Sequence, residues 1–173
     1  MSVLDAITTR RSIREYTSAS VDSRQLEVLL NAALQSPSAH NDQPWHFTVV
    51  RSREIMDDIS AEASRVYGRD LGDIFYAAPV AIFISYEADS NWGFLDSGIA
   101  VENIALAATG LGLGSVILGY PLYAFKGHRG PDFEQLLEFP KGYRFAIAIA
   151  IGHPARTKSA HESKPEKVTY LGE

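Results

Sequence analysis

Residues 36–50 read SPSAHNDQPWHFTVV, a turn-rich segment that follows a helical pattern and leads into a strand pattern. Its prolines restrict the backbone, and the small side chains of Ser38 and Ala39 allow a ligand to approach closely. Asn41 and Gln43 each carry both a donor and an acceptor group. Such amides can bind the edge of a planar ligand that alternates carbonyls and ring nitrogens. The same residue types also occur in an ordinary turn whose amides bind their own backbone.

A second unusual cluster lies upstream, where residues 10–14 read RRSIR. If the first helix continues through it, Arg10 and Arg14 share one helical face, because residues four apart are neighbours. Guanidinium groups hold phosphate through paired charge-assisted hydrogen bonds, and Ser12 adds a hydroxyl. Arginines in the last turn of a helix also complement its dipole without any ligand. If both clusters are functional, they predict a site for an anionic, planar, hydrogen-bonding cofactor.

Length and composition favour a single globular domain. The chain has 173 residues, of which 46% are hydrophobic and 21% charged, so it can bury a sizeable core. The formal net charge is −5, which argues against a nucleic-acid partner, because such a partner needs a basic surface. The sequence contains no cysteine, which excludes disulfides, thiol catalysis and cysteine-ligated iron–sulfur or zinc sites.

The sequence also gives no sign of a membrane or exported protein. No apolar run is long enough to span a bilayer, and the N-terminal residues MSVLDAITTRRS lack the apolar core of a signal peptide. The absence of cysteine fits a reducing compartment. We therefore expect a cytoplasmic protein with no membrane partner.

Periodicity predicts a mixture of helices and strands. A capping box over residues 2–5 starts a first helix that runs to Thr9, and Pro37 ends the second helix. Helices are predicted over residues 3–9, 22–35, 53–66, 94–111 and 131–139, and strands over 45–51, 79–86, 115–120 and 144–151. About four core strands covered by helices give an α+β architecture in one domain over 1–173. The polar tail, residues 155–173, shows no clear period.

The helix predicted over 94–111 is apolar nearly all round, which is typical of a helix in a core or an interface. Asp96, Glu102 and Asn103 interrupt it. A buried carboxylate needs partners, so these side chains belong either to a structural network or, if burial raises a pKa, to a catalytic acid.

A glycine-punctuated run, LGLGSVILG, follows this helix over residues 111–119. It matches neither a phosphate-binding loop nor a complete dinucleotide-binding fingerprint. Its glycines fit a helix end and a tight turn into a strand, and the alternative is that its backbone amides face a ligand. His40 has no second histidine or carboxylate at metal-ligand spacing, and no G-x-S-x-G elbow supports a nucleophilic serine. We therefore expect no metal site and no catalytic triad.

Four motifs together resemble the nitroreductase family of FMN-dependent oxidoreductases. They are RRSIREY at 10–16, SPSAHNDQPWHFTVV at 36–50, LAATGLGLGS at 106–115 and IGHP at 151–154. Their order and spacing are similar to those of the family, so the resemblance covers essentially the whole chain. It implies a central, mostly antiparallel sheet of four to five strands flanked by helices. It also implies an intertwined homodimer with FMN at the subunit interface.

The resemblance implies a phosphate site built from two parts of the chain. Arg10, Ser12 and Arg14 would hold the phosphate and ribityl chain of FMN, with Arg11 nearby. Lys164 of the tail would complete the phosphate site, and the tail would wrap the partner subunit. Two other tail lysines compete for this place, Lys158 and Lys167.

The resemblance also implies that the two subunits share each flavin. The residues that line the FMN would come from the partner subunit, and they are Pro37, Ser38, Ala39, His40 and Asn41. Gln43 would join them or brace their loop. The reactive edge of the flavin would face the backbone of Ile117, Leu118 and Gly119.

One departure from the family concerns the substrate lid. Many members insert a long helical excursion between the second strand and the long helix, whereas only residues 87–93 fill that gap here. The lid must then be short, absent or supplied from elsewhere, for example from residues 67–73.

The resemblance implies an enzyme that passes hydride from NADH or NADPH to an electron-poor acceptor such as a nitroaromatic or a quinone, by a ping-pong mechanism. Because the flavin carries the hydride, no catalytic side chain is expected. One alternative is other flavin chemistry on the same fold, such as dehydrogenation or dehalogenation. Others are a non-catalytic FMN-binding or nucleotide-binding protein, and a dimerisation domain without a cofactor.

Overall fold

Four strands form one antiparallel sheet with helices against it in the structure, a computed structural model that describes residues 1–160 and 162–172. The strands are β1 (Trp45–Val50), β2 (Val80–Glu87), β3 (Gly114–Leu118) and β4 (Tyr143–Gly152). The helices are α1 (Val3–Thr9), α2 (Ser23–Leu34), α3 (Arg53–Tyr67), α4 (Gly93–Gly110), α5 (Pro121–Lys126) and α6 (Gly130–Leu136). Single 3-10 turns cover Ala39–Asn41 and Pro165–Lys167. The strand order is β1-β2-β4-β3, which confirms the predicted α+β architecture.

Local sequence signals place the helix ends. Ser2 and Asp5 form a capping box at α1, and Asp22 and Gln25 form another at α2. α3 ends at Gly68, whose φ of +86° suits a residue without a Cβ. The bounds of these three helices agree with the predicted ones to within a residue or so, because each end carries its own hydrogen-bonding signal.

Each face of the sheet packs against its own layer of helices. On one face, Val80, Ile82 and Ile84 of β2 pack with buried residues of α2 and α4. On the other face, Ala81 and Phe83 pack with buried residues of α3, α5 and α6. Successive side chains of a strand point to opposite faces, so the continuous apolar run of β2 fills both layers.

The segment after α1 does not continue the helix. α1 ends at Thr9, and residues 10–14 are extended rather than helical. Ser12 forms a parallel bridge with Ser115 of β3, and the Ile13 N–H donates to the Ser115 carbonyl at 2.9 Å. The predicted end of the first helix at Thr9 is therefore correct, and the helical continuation under which Arg10 and Arg14 would share a face does not occur. The segment forms sheet hydrogen bonds at the edge of β3 instead.

The region between β3 and β4 differs from the prediction. β3 ends at Leu118 rather than at residue 120, and α5 was not predicted. α5 begins at Pro121, a residue type that favours the first position of a helix because it lacks an N–H. α6 covers Gly130–Leu136, which is shorter than the predicted range. Within the described ranges, no helix has both the length and the hydrophobicity needed to cross a bilayer.

Candidate functional site

The loop of residues 38–43 is strained and braced by its own side chains. His40, Asn41 and Gln43 have φ angles of 54°, 60° and 49°, which side chains other than glycine rarely adopt. The Ser38 Oγ accepts the Gln43 N–H at 2.9 Å, and the Gln43 Nε2 donates to the Asn41 Oδ1 at 3.2 Å. Such strain persists only where neighbours fix it, and it is common at ligand sites. The side chains of His40, Asn41 and Gln43 remain exposed.

Polar side chains of α4 fix this loop and the end of α2. The buried Asp96 carboxylate accepts the Ala39 N–H, with its two oxygens 3.3 and 3.4 Å from the nitrogen. The Asn103 Nδ2 donates to the Ser36 Oγ at 2.8 Å, just after α2 ends. Two roles were open for the polar residues of α4, a structural network and a catalytic acid. These contacts favour the structural network, because each polar group binds the segment that it positions.

The arginines that follow α1 have different partners. The Arg10 Nε lies 3.1 Å from the Glu102 Oε1, and this ion pair links the segment to α4. The Arg11 guanidinium donates to the Thr8 carbonyl at 2.8 Å, in the last turn of α1. Arg11 therefore complements the helix end, as the dipole alternative predicts.

Arg14 lines a cavity of about 430 Å³ at the end of β3. Its guanidinium makes one long hydrogen bond, 3.5 Å to the Ser12 carbonyl, and lies 5.7 Å from the centre of the Tyr76 ring. Among the described residues, no carboxylate forms an ion pair with it. The remaining lining residues are Tyr76, Val116, Ile117, Leu118, Gly119, Tyr120, Leu122 and Tyr123. The cavity thus places an unneutralised positive charge beside the end of a strand.

A strained turn before β2 presents Tyr76 to the same cavity. Tyr76 and Ala77 have φ angles of 59° and 55°. The Asp73 carboxylate holds this turn because it accepts the N–H groups of Phe75 at 2.8 Å and Ala77 at 2.6 Å, and it pairs with Arg53 at 3.1 Å. The sequence patterns considered above did not predict this turn. An aspartate that can bind the backbone two residues on is the signal that could have identified it.

Tyr16 joins the first motif to the last. Its hydroxyl donates to the Ile13 carbonyl at 2.8 Å, and its backbone forms a bridge with Pro154. Burial raises the pKa of Tyr16 above its usual range, against a smaller opposing effect of the Arg14 charge. A Cβ on Gly152 would lie 2.8 Å from the Tyr16 ring, so this position requires glycine. The close packing explains why the two motifs occur together.

Comparison with known proteins identifies the family. The model of the Nitroreductase family matches residues 7–153. The chain belongs to the nitroreductase family. A relative from Methanothermobacter thermautotrophicus, provisionally named NADH dehydrogenase/NAD(P)H nitroreductase, is 38% identical over 167 residues, which are 94% of this chain and 82% of the relative. The FMN reductase (NAD(P)H) of Bacillus subtilis is 29% identical over 193 residues, which are 99% of this chain and 75% of the relative.

A solved structure supports the same assignment. The crystal structure of a nitroreductase with bound FMN from Desulfitobacterium hafniense DCB-2 is similar, with a TM-score of 0.91 and 31% identity. The match covers 99% of this chain and 100% of that chain. The predicted family and the predicted fold are therefore confirmed.

In this nitroreductase chain the two predicted halves of the site lie apart. The described lining of the 430 Å³ cavity includes Arg14 and the end of β3, and no residue of the 38–43 loop. Pro37 is also exposed. No group of three or more His, Asp or Glu among the described residues is placed to hold a metal ion.

The tail lysines occupy two places. Lys158 lines a small cavity of about 150 Å³ together with Arg11. Lys164 and Lys167 line an open cavity of about 710 Å³ formed by the tail itself. Within one chain, Lys158 is therefore the tail lysine that shares a cavity with the arginine segment.

Proposed function

We propose that this nitroreductase is an FMN-dependent enzyme that passes hydride from NADH or NADPH to an electron-poor acceptor such as a nitroaromatic or a quinone. The observation that carries the proposal is the cavity shared by the Arg14 guanidinium and the end of β3. An unneutralised guanidinium there suits an anionic or electron-rich polar group of the cofactor. A Cβ on Gly119 would meet no atom within 4 Å, so the strand end is open to a ligand. The residues present therefore fit FMN.

The names of the relatives support the reaction class. The Bacillus subtilis relative is an FMN reductase that uses NAD(P)H, and the Desulfitobacterium hafniense structure holds FMN. When bound, FMN supplies the hydride chemistry, so the chain needs no nucleophile or acid–base pair of its own. Its own residues bind and orient the cofactor and leave one side of the site open. We expect NAD(P)H and the acceptor to use that side in turn, which gives ping-pong kinetics.

We assign the cofactor to two surfaces of the chain that complement each other across a homodimer. One surface contains the arginine segment and the end of β3, and the other contains the strained 38–43 loop with its exposed amides. Because the described lining of the 430 Å³ cavity contains no residue of the 38–43 loop, a partner subunit would complete each site. The cofactor-binding residues of this proposal are Arg10, Arg11, Ser12, Arg14, Pro37, Ser38, Ala39, His40, Asn41, Gln43, Ile117, Leu118, Gly119 and Lys164.

Exposed apolar residues at the start of α4 support the homodimer. Trp92, Phe94 and Leu95 are 51%, 61% and 57% exposed in the single chain. A cluster of large apolar side chains in water marks an interaction surface. A second copy of the chain would cover this cluster and bring its own loop to the site.

Two measurements test the proposal. The purified protein is incubated with FMN and desalted, its visible absorption spectrum is recorded, and NADH or NADPH is then added without oxygen. We expect a retained flavin spectrum that NAD(P)H bleaches and that a quinone restores. A retained flavin that neither reductant bleaches contradicts the NAD(P)H reaction and favours the other flavin chemistry. A colourless protein whose melting temperature FMN leaves unchanged contradicts FMN binding altogether.

A further inference from the structure

Three tyrosines form an aromatic surface beside the cavity, which we call the tyrosine wall: Tyr67 at the end of α3, Tyr120 just before α5 and Tyr123 within it. The Tyr67 ring meets the Tyr123 ring edge-to-face, with centres 4.7 Å apart, and the Tyr120 ring in the same manner at 5.7 Å. Tyr120 and Tyr123 line the 430 Å³ cavity. The wall therefore connects the cavity to the segment that follows α3.

Two of the three tyrosines of the wall are open to solvent, and Tyr123 is half-buried. Tyr67 and Tyr120 are each 37% exposed. A tyrosine that only packs two helices together can bury its ring and leave only its hydroxyl in water, so this exposure favours a surface that contacts a ligand. Tyr120 directly follows residues 117–119, whose backbone would face the reactive edge of the flavin, as the family resemblance implies. An aromatic molecule held on the wall would lie next to that edge.

Arg69 adds a positive charge to this surface. Its guanidinium lies 5.3 Å from the centre of the Tyr67 ring. No carboxylate in the described part of the chain forms an ion pair with Arg69. The neighbouring Asp70 carboxylate accepts the Gly72 N–H at 2.8 Å, and Asp73 pairs with Arg53. The charge of Arg69 is therefore available to an anionic ligand.

We propose that the tyrosine wall and Arg69 form the acceptor subsite of this enzyme, and that Arg69 makes the subsite prefer planar aromatic acceptors with an anionic substituent. This inference rests on the proposed function. The tyrosine rings contact the acceptor ring, and Arg69 attracts the substituent that points away from the flavin.

Arg69 is tested with a matched pair of acceptors, 4-nitrobenzoate and 4-nitrobenzamide, on the FMN-loaded protein. Arg69→Gln lowers the ratio of kcat/KM for the anion to kcat/KM for the amide by about three- to fivefold, the effect of one exposed charge pair. Arg69→Glu lowers this ratio further, because the charge then repels the anion. Arg24→Gln is the control, since exposed Arg24 lies on α2, which packs on the other face of the sheet.

The wall is tested by Tyr123→Leu, which keeps an apolar side chain but removes the ring. We expect kcat/KM for both nitro compounds to fall about two- to tenfold relative to the rate of NADH oxidation by dioxygen. A role in packing alone predicts something different. The melting temperature would then fall, and the rates with aromatic acceptors and with dioxygen would change together.

The outcomes separate this inference from the proposed function. If the unaltered protein retains FMN and reduces both nitro compounds, but Arg69→Gln and Arg69→Glu leave the anion-to-amide ratio unchanged, the acceptor subsite is wrong and the proposed function stands. If the unaltered protein retains no FMN or oxidises no NAD(P)H with any acceptor, the proposed function fails, and the subsite fails with it.

Discussion

The Asp96 carboxylate accepts the Ala39 N–H from across 57 residues of sequence, with its oxygens 3.3 and 3.4 Å from the nitrogen. Asp96 is 4% exposed, so this is a buried carboxyl group whose hydrogen-bond partner belongs to the strained loop. The contact joins the long helix of the core to the segment that carries the exposed amides. A core helix thus fixes the backbone of a loop that we assign to the cofactor.

Removal of this contact gives the first prediction. Asp96→Ala leaves the Ala39 N–H without its partner, which costs about 1–3 kcal/mol of stability for a buried group. FMN affinity also falls, because the loop loses the group that fixes it. Asp96→Asn keeps one acceptor oxygen and should therefore retain most of the stability and most of the FMN affinity. Chemical denaturation and FMN titration measure the two effects, and exposed Asp89→Asn is the control. Equal FMN affinity in Asp96→Ala and the unaltered protein contradicts the positioning role.

The second prediction separates the arginines that follow α1. Arg14→Ala removes the guanidinium that lines the 430 Å³ cavity and should weaken FMN binding about 10- to 100-fold, since a charged hydrogen bond contributes about 1.5–3 kcal/mol. Its effect on the melting temperature should be small, because the one hydrogen bond that it makes within the described part of the chain is 3.5 Å long. Arg11→Ala should lower the melting temperature more than Arg14→Ala, since Arg11 binds the Thr8 and Arg10 carbonyls, and should weaken FMN binding less, since Arg11 does not line the 430 Å³ cavity.

FMN titration and thermal unfolding of the two variants side by side measure this contrast. Arg24→Ala controls for the loss of one positive charge. Unchanged FMN affinity in Arg14→Ala would remove Arg14 from the site. A loss of stability in Arg14→Ala as large as that in Arg11→Ala would show that its role is structural.

The sequence predicted the elements whose evidence is local. The capping boxes of α1 and α2 and the apolar run of β2 are each contained within one segment, so they could be found from the sequence. It also predicted that the carboxylate of Asp96 needs a partner, because an isolated buried charge is costly. It could not name Ala39 as that partner, because the contact depends on how α4 crosses the loop.

Other features of the fold and the site were not predicted from the sequence. Two arginines four residues apart fit either a helix or an extended segment. The bridge between Ser12 and Ser115 holds this segment in the extended conformation. The tyrosine wall is formed by residues from separate elements, so no single window of sequence contains it. The strained turn at Tyr76 is local, and Asp73 was the signal that could have identified it. The assignment of Lys164 stays a prediction, since the tail lysines line two cavities in the single chain.

The third prediction concerns acid stability. Glu62 of α3 is buried and accepts two hydrogen bonds of 2.7 Å from Arg65. These bonds lower the pKa of Glu62, with burial opposing them and with smaller contributions from the Arg65, His128 and Arg129 charges. Because the pKa is lower in the folded state, the pair stabilises the fold above the ordinary glutamate pKa of about 4.3. This contribution is lost as the pH falls through the folded-state pKa.

We therefore expect the melting temperature to fall below about pH 4.3 more steeply in the unaltered protein than in Glu62→Gln. The Arg129 guanidinium also lowers the pKa of the Asp58 carboxyl. Asp58→Asn should therefore also make the melting temperature less dependent on pH in this acid range. Exposed Glu54→Gln on the same helix is the control. Parallel acid profiles for Glu62→Gln and the unaltered protein would exclude an ion-pair contribution from Glu62.

The last prediction tests the shared site. Leu95 is 57% exposed at the start of α4, one residue before the aspartate that holds the loop. If a second copy covers it, Leu95→Glu places an unpaired charge in an apolar interface, which is costly enough to dissociate the dimer. FMN retention should fall with it, because each site then loses the partner's loop. Leu95→Met keeps the apolar contact and should keep both properties. Sedimentation and flavin absorbance measure the two together, and a monomer that retains FMN as tightly as the unaltered protein would contradict the shared site.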